Sequence, residues 1–331
     1  MENIEILTPE EVVRPVIVPI EMVRTDCKRS SFIEANTIQG SLEEIKHNHI
    51  IPVFANNQTL ISHADFIEET FSLVNDLFQG EQILKPEIRV SHPVMGRVPD
   101  AKDKSADQLQ PWEKTLYYQK LAFVIEVPSI QSDVDGNMLS LTIGGVRNFS
   151  EENLYSRSVC DQRFRVFIGF KNTVCCNMCV FTDGYMDDLK VKNTGQLSAC
   201  IRTLLNGYNS NYHLHHLNKL TEYNITEQQF AQVIGKCRMF QHLPINEKKG
   251  ITPLLLGDQQ MTNVLKDYYR DESFCRDSKG AINLWKVYNL LTSANKSTFI
   301  DSFLDRSVSS YNFVESLRWG LEGRSSNWYL N

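Results

Sequence analysis

Apolar residues first recur at helical spacing between residues 62 and 78. Phe66, Ile67, Phe71, Val74, Leu77 and Phe78 fall on one side of a 3.6-residue period, so a helix with one buried face is predicted there. Ser62 is a suitable N-cap and Asp65, at N3, can complete a capping-box pair, while Gln79-Gly80 supplies the stop. Between residues 83 and 183 the pattern changes. Ile88-Arg89-Val90 alternates, and Lys120–Val127 is a continuous apolar strand that Pro128 should end. Asp135-Gly136 is a hairpin turn, and Met138–Val146 is the returning strand. Arg163–Phe170 alternates, and Thr173–Phe181 reads as a further strand.

After Asp183-Gly184 the pattern turns helical: 195–205, 212–220, a helix opened by a Thr226/Gln229 capping box, 259–269 capped by Asp258, 282–291 and 311–319. Short connections make the strands mostly antiparallel. Strands first and helices afterwards define an α+β class, with an antiparallel sheet of four or five strands and a largely helical C-terminal half. The expected organisation is an N-terminal arm over 1–45, extended or partly ordered, with one strand near Val16–Val18. A helix-plus-sheet region follows over 46–183, and a helical region over 184–331 packs on the sheet as one unit.

Composition adds limits. With 331 residues, 42% apolar and 22% charged, the chain has the balance of a soluble globular protein and ample core without disulfides or metal. Its net charge of −6 argues against bulk electrostatic attachment to nucleic acid. That average conceals an asymmetry: residues 1–100 carry 16 acidic and 8 basic groups, whereas residues 101–331 carry 24 and 26. No apolar run reaches the roughly 18 residues a membrane helix needs. The opening Met-Glu-Asn-Ile-Glu lacks the pattern of a secretory signal, so a cytoplasmic location with reduced cysteines is expected. The sequons at Asn57, Asn148, Asn224 and Asn295 would then carry no glycan.

Motif chemistry is mostly excluded. There is no P-loop, dinucleotide fingerprint, nucleophile elbow, zincin motif or deaminase signature. Gly144-Gly145 suggests a bulge or tight turn. Cys176-x-x-Cys179 has half a zinc-knuckle spacing, but on a strand those thiols point to opposite faces. Cys175 and Cys179 would share a face about 13 Å apart, at roughly 3.3 Å per residue. Only a turn near Thr173 would gather them, so buried structural thiols are expected. His213-x-His215-His216 places His213 and His216 on one helical side with no acid nearby in sequence, which suggests a solvated surface. The acid pairs Asp187-Asp188 and Asp267/Asp271 also read as surface. No metal and no cofactor is expected, and no catalytic residue is identified.

One segment suggests binding. On a strand over 163–171, Phe164, Val166, Ile168 and Phe170 share a core-facing side, while Arg163, Arg165, Phe167 and Lys171 share the other. An open sheet face with cations around an aromatic ring suits single-stranded nucleic acid. Arg89, Arg97 and Arg147 lie near other strand ends and could join it. The structural alternative is a face whose arginines pair with carboxylates of a neighbouring strand.

Pro86-Glu87-Ile88-Arg89-Val90-Ser91-His92-Pro93 with Gly96-Arg97, Leu141–Val146, Phe167–Asn172 and Asn283-Leu284-Trp285 carry a resemblance. So do Glu113–Tyr118, Gly257-Asp258, Lys266–Tyr269, Tyr288-Asn289 and Asn295-Lys296-Ser297. The chain resembles an uncharacterised family of Bacteroides and its relatives, domain of unknown function 3871, over about residues 80–331. More weakly, through Arg165-Val166, Asn172–Val174, Trp285, Asn289 and Thr292, it is similar to a broader plasmid- and phage-associated family. The resemblance implies a mobile-element accessory protein and raises the expectation of nucleic-acid handling, but it transfers no catalytic residue.

Three functions stand as expectations. The first is single-stranded nucleic-acid binding through the basic-aromatic face, with homo-oligomerisation supplying avidity. The second is a protein–protein effector acting on a host or element-encoded protein, such as an inhibitor of a defence enzyme, suggested by the acidic first third. The third is an enzyme with an unfamiliar site near Asn172, Asp183 and Asn289. No membrane partner is expected.

Overall fold

Two short elements precede the helix that the sequence pattern marks. The computed structural model describes residues 31–48, 58–153 and 156–331. Within them the order is β1 (Ile38–Gly40), α1 (Leu42–Asn48), α2 (His63–Leu77), β2 (Glu87–Val90), β3 (Pro93–Arg97), β4 (Lys114–Tyr118), β5 (Lys120–Val134), β6 (Asn137–Asn148), β7 (Gln162–Asn172) and β8 (Met178–Val191). Then come α3 (Thr194–Gly207), α4 (Ser210–Lys219), β9 (Asn224–Ile225), α5 (Glu227–His242), α6 (Asp258–Arg270), β10 (Ile282–Asn283), α7 (Leu284–Asn295) and α8 (Ile300–Leu321). The class is α+β, with most helices in the C-terminal half.

Helix α2 begins as its sequence dictates. Ser62 Oγ accepts from Asp65 N at 2.9 Å while Asp65 Oδ2 accepts from Ser62 N at 2.7 Å, a reciprocal capping box. The Thr226/Gln229 pair does the same for α5. Helix α6 starts at Asp258, one residue earlier than expected, because Gly257 takes the cap position and its N–H donates to Gln260 Oε1 at 3.1 Å. Asn283 caps α7 through Lys286 N after pairing briefly in β10.

Six strands form one antiparallel sheet in the order β1-β2-β5-β6-β7-β8, while β3–β4 and β9–β10 are separate two-stranded ribbons. Asp135 and Gly136 both adopt positive φ (53° and 75°), which a two-residue turn between right-twisting strands requires. Strand β5 does not end at Pro128. The register shifts between Val127 and Gln131, and that irregularity accommodates a residue with no N–H before pairing resumes to Val134. Strand β8 likewise starts later and runs longer than expected. Residues Thr173–Cys175 form a turn, Cys176 sits at φ 57°, and the strand continues through Asp183-Gly184 to Val191. The helical part therefore begins at residue 194. Strand β8 lies at one edge of the sheet, where Asp183, Asp187 and Asp188 put charge along it and discourage edge pairing.

Within the N-terminal arm, residues 31–45 are ordered against the body. Phe32 and Ile33 are buried, β1 pairs with β2, and α1 packs on α2. The strand expected at Val16–Val18 lies outside the described residues.

Both faces of the sheet are covered. On one, Phe123, Ile125, Ile143, Phe164, Val166, Ile168 and Phe170 pack with α2, α3 and α7 in the larger core. On the other, Ala122, Val124, Val146, Phe167, Met178 and Val180 pack against Phe32, Ile33 and the first turns of α8. Helix α8 starts eleven residues before the expected 311. Its first stripe, Ile300, Phe303, Leu304 and Val308, belongs to the second core, whereas Tyr311, Phe313, Val314 and Leu317 belong to the first. Ser307, Ser309 and Ser310 separate the two stripes and hide their continuity.

Gly144-Gly145 is neither bulge nor turn. Pairing with β5 runs in unbroken register through both residues. A Cβ on Gly145 would stand 2.4 Å from the Phe66 ring and 2.9 Å from the Arg165 carbonyl oxygen. Phe66 can seat on the sheet only because that position is bare. Gly145→Ala should therefore lower stability by about 1–3 kcal/mol through overpacking. Gly207→Ala, at a position with nothing within 4 Å, should be neutral or slightly stabilising. Urea denaturation of both variants checks this, and equal midpoints would contradict it.

Candidate functional site

The strand alternation expected for β7 holds, but the face it was expected to leave open is covered. Phe167 is 1% exposed, packed in the core beneath α8, and cannot stack on a base. Lys171 is buried and its Nζ meets Glu126 Oε2 at 2.5 Å. Arg165 is paired with Glu151 at 3.0 Å. Arg163 remains half exposed and faces Asp188 at 3.8 Å, where Lys190 also bonds the carboxylate and holds it below the usual carboxylate range. All three cations face carboxylates, but only Asp188 lies on a strand adjoining β7; Glu126 is on β5 and Glu151 is in the turn after β6.

The outlying arginines do not join them in a common surface. Arg89 donates from Nε and Nη2 to Thr37 on the edge beside β1, and Arg97 donates to the Lys104 carbonyl on the separate β3–β4 ribbon. Arg147 is fully buried. Its Nε and Nη2 reach Glu152 at 2.9 and 3.2 Å, Nη2 also reaches Gln162 Oε1 at 3.1 Å, and Nη1 donates to the Ile61 carbonyl. The guanidinium lies 4.4 Å from both the Phe149 and Phe164 ring centroids. That is structural use of a cation, fully paired because an unpaired buried charge is costly.

The other sequence candidates also resolve. The turn after Asn172 does form, yet among the described residues no group of three or more His, Cys, Asp or Glu side chains is placed to hold a metal. Burial pushes the Cys175, Cys176 and Cys179 thiols up, away from the reactive thiolate. Asn172 and Asn289 are buried in hydrogen bonds, the first to Val174 N and Cys175 N and the second to Asn177, while Asp183 is exposed. They do not build a shared site.

The histidine group splits in two. His213 is fully buried among Phe170, Phe181, Tyr208 and Tyr311, with Nδ1 sharing a 2.6 Å hydrogen bond with the Tyr208 hydroxyl. Burial drives it down to about 3, with His216 adding a smaller push, so it is neutral at physiological pH. His216, three residues on, faces a cleft of about 590 Å³ between α4 and the end of α8. Tyr212, His215, His216 and Lys219 line one wall, and Arg318, Trp319, Arg324 and Ser325 the other.

Helical geometry explains the convergence. Positions 212, 215, 216 and 219 have the i, i+3, i+4, i+7 spacing of a single helix face. Positions 315, 318, 319 and 322 repeat that spacing at the end of α8. His216 Nδ1 lies 2.7 Å from Glu315 Oε1, and the Tyr212 and His216 ring centroids are 4.4 Å apart. Glu315, 5% exposed, is fixed by Arg318 at 2.5 and 3.2 Å and by the Tyr311 hydroxyl at 3.3 Å. Arg318 also pairs with Glu322, which in turn meets Arg324 at 2.6 Å. Thus both carboxylates are committed, Glu315 to Arg318, Tyr311 and His216 and Glu322 to Arg318, Arg324 and Tyr223, whereas the Lys219 amine has no ion pair or hydrogen bond among the described residues. Tyr212 and Trp319 stay open at 47% and 45% exposure. The two matching spacings are legible in the sequence, but nothing there brings residue 216 to residue 315.

Fold and cleft together define an α+β protein with an enclosed antiparallel sheet and a basic-aromatic cleft in its helical layer. Among the described residues no helix is long and apolar enough to cross a membrane. The family model described as "Domain of unknown function, B. Theta Gene description" (DUF3871) matches residues 14–330, and the chain belongs to that family. No curated protein and no solved structure matches it.

Burial of His213 makes stability depend on pH. The unfolded imidazole takes its proton near 6.5 and the folded one only near 3, so the unfolded state binds more protons between those values. Stability from this group is complete above pH 6.5 and is lost as pH falls. Relative to His213→Phe, the natural chain should lose about 2 kcal/mol between pH 7 and pH 5. Denaturant titrations at the two pH values measure it, and a constant difference between the chains would contradict the burial argument.

Proposed function

We propose that the protein binds single-stranded nucleic acid in the cleft between α4 and α8. The observation that carries this reading is the pairing of two exposed rings, Tyr212 and Trp319, with the unpartnered Lys219 and the exposed Arg324 in one cleft. Exposed aromatic rings accept bases of any sequence, and flanking cations track the backbone. Membership of the family leaves activity open. The net charge of −6 is compatible with few phosphate contacts and modest affinity for one copy. An accessory role in a mobile element is consistent with this chemistry and belongs to the same proposal.

Fluorescence anisotropy with a labelled oligonucleotide at about 50 mM salt tests the reading. Two phosphate contacts should give a slope of log K against log salt of about −1.4, at roughly −0.7 per contact for single strands. Trp319→Ala should weaken binding by about 5- to 150-fold, the equivalent of about 1–3 kcal/mol of stacking. Lys219→Ala should weaken it and flatten the slope by about 0.7. Absence of binding at about 50 mM salt, or affinity indifferent to Trp319→Ala, would remove the cleft as the binding site.

A further inference from the structure

We infer that the same cleft cleaves RNA by internal phosphoryl transfer, a proposal that rests on the binding reading above and assigns it a substrate. RNA carries its own nucleophile, the 2′-hydroxyl beside each phosphodiester. Cleavage then needs three things from a protein: a base for that hydroxyl, an acid for the departing 5′-oxygen, and a cation against the phosphoryl oxygens.

The cleft holds all three on one helix face. The buried carboxylate of Glu315 accepts from His216 Nδ1 at 2.7 Å, which places the proton on Nδ1 and leaves the lone pair on Nε2. Glu315 is itself held by Arg318 and Tyr311, so the imidazole is oriented by a fixed group. His215 is the preceding residue, exposed, with its ring centroid 6.0 Å from that of His216 and its plane turned by 87°. Both imidazoles line the cleft, so one phosphodiester bound there has two rings of separate orientation within reach. Lys219 follows one turn on, at i+3 from His216 and i+4 from His215. Tyr212 and Trp319 supply surfaces on which flanking bases stack.

The step balances without an added reagent. His216 Nε2 takes the proton of the 2′-hydroxyl as the O2′–P bond forms, and His215, as the imidazolium, gives its proton to O5′ as the P–O5′ bond breaks. The products are a 2′,3′-cyclic phosphate and a 5′-hydroxyl. Proton exchange with water resets both rings. Lys219 faces the phosphoryl oxygens as charge builds on them. Glu315 is a positioning residue that acts through His216.

The test uses the full chain and a 5′-labelled DNA oligonucleotide containing one ribonucleotide, read on a denaturing gel, with an all-DNA strand of the same sequence in parallel. Cleavage is expected 3′ of the ribonucleotide only, to a product ending in a 2′,3′-cyclic phosphate, with the all-DNA strand uncut. His216→Asn and His215→Asn should each lower the single-turnover rate by about 100-fold or more. Their thermal unfolding midpoints should stay within a few degrees of the natural chain's. The His215 variant is the safer in this respect, since that side chain is exposed. Glu315→Gln should lower kcat with KM within about twofold, a split that a general loss of structure would not give. A chain that binds the oligonucleotide but leaves it intact would overturn the cleavage proposal and leave the binding reading standing. So would a product ending in a 3′-hydroxyl, or cutting that persists in both histidine variants. Failure to bind either strand overturns the binding reading and the cleavage proposal with it.

Discussion

The enclosure of the sheet on both faces governs where chemistry can occur in this molecule. Strand β6 is buried at every position from Leu139 to Asn148, and a strand in that situation has no solvated side. Any cation on the central strands must be neutralised within the protein or the fold is lost. Hence Arg147 has Glu152 and Gln162, Arg165 has Glu151 and Lys171 has Glu126. The glycine pair on the same strand answers the same demand sterically, since Phe66 reaches the sheet only across Gly145. With the sheet closed in, the basic-aromatic cleft is built between two helices instead.

Helix α8 links that enclosure to the cleft. Its first turns cover the second face through Ile300, Phe303, Leu304 and Val308, and its later turns enter the main core. Its last turns then present Glu315, Arg318 and Trp319 opposite α4. The helix that rules out an open platform on β7 thus supplies one wall of the cleft. Electrostatic organisation there follows from burial: Glu315 and Arg318 are too enclosed to stand alone, so they pair, and the remaining acceptor capacity of Glu315 is spent on His216. His213 and His216 show how sharply position on a helix decides chemistry. One turn separates them, yet the first is a neutral core ring and the second an oriented imidazole at a surface.

Much of the secondary structure was readable because its causes are local. Capping boxes at Ser62 and Thr226, the Asp135-Gly136 turn and the alternation of β7 are interactions among near neighbours, and each formed as its residues dictate. The structure departs from its local signals where long-range packing prevails over them. Pro128 did not end β5, because a register shift made room for it. Asp183-Gly184 did not end β8, because pairing with β7 carried the strand onward. Helix α8 extends eleven residues before the start its spacing predicts, because the apolar stripe of its first half serves a different core from the second.

From the chain alone one could derive the α+β class, the two faces of β7, the absence of familiar catalytic motifs and the concentration of acid in the first third. Tertiary structure alone decided which of those faces met water and which side chains met each other. Burial of Phe167 depends on a helix 133 residues further on, at Ile300, and the partner of His216 lies 99 residues away at Glu315. Spacing along a chain reports the direction a side chain takes from its own element. Whether another element arrives to cover it is settled by how the whole chain buries its apolar surface.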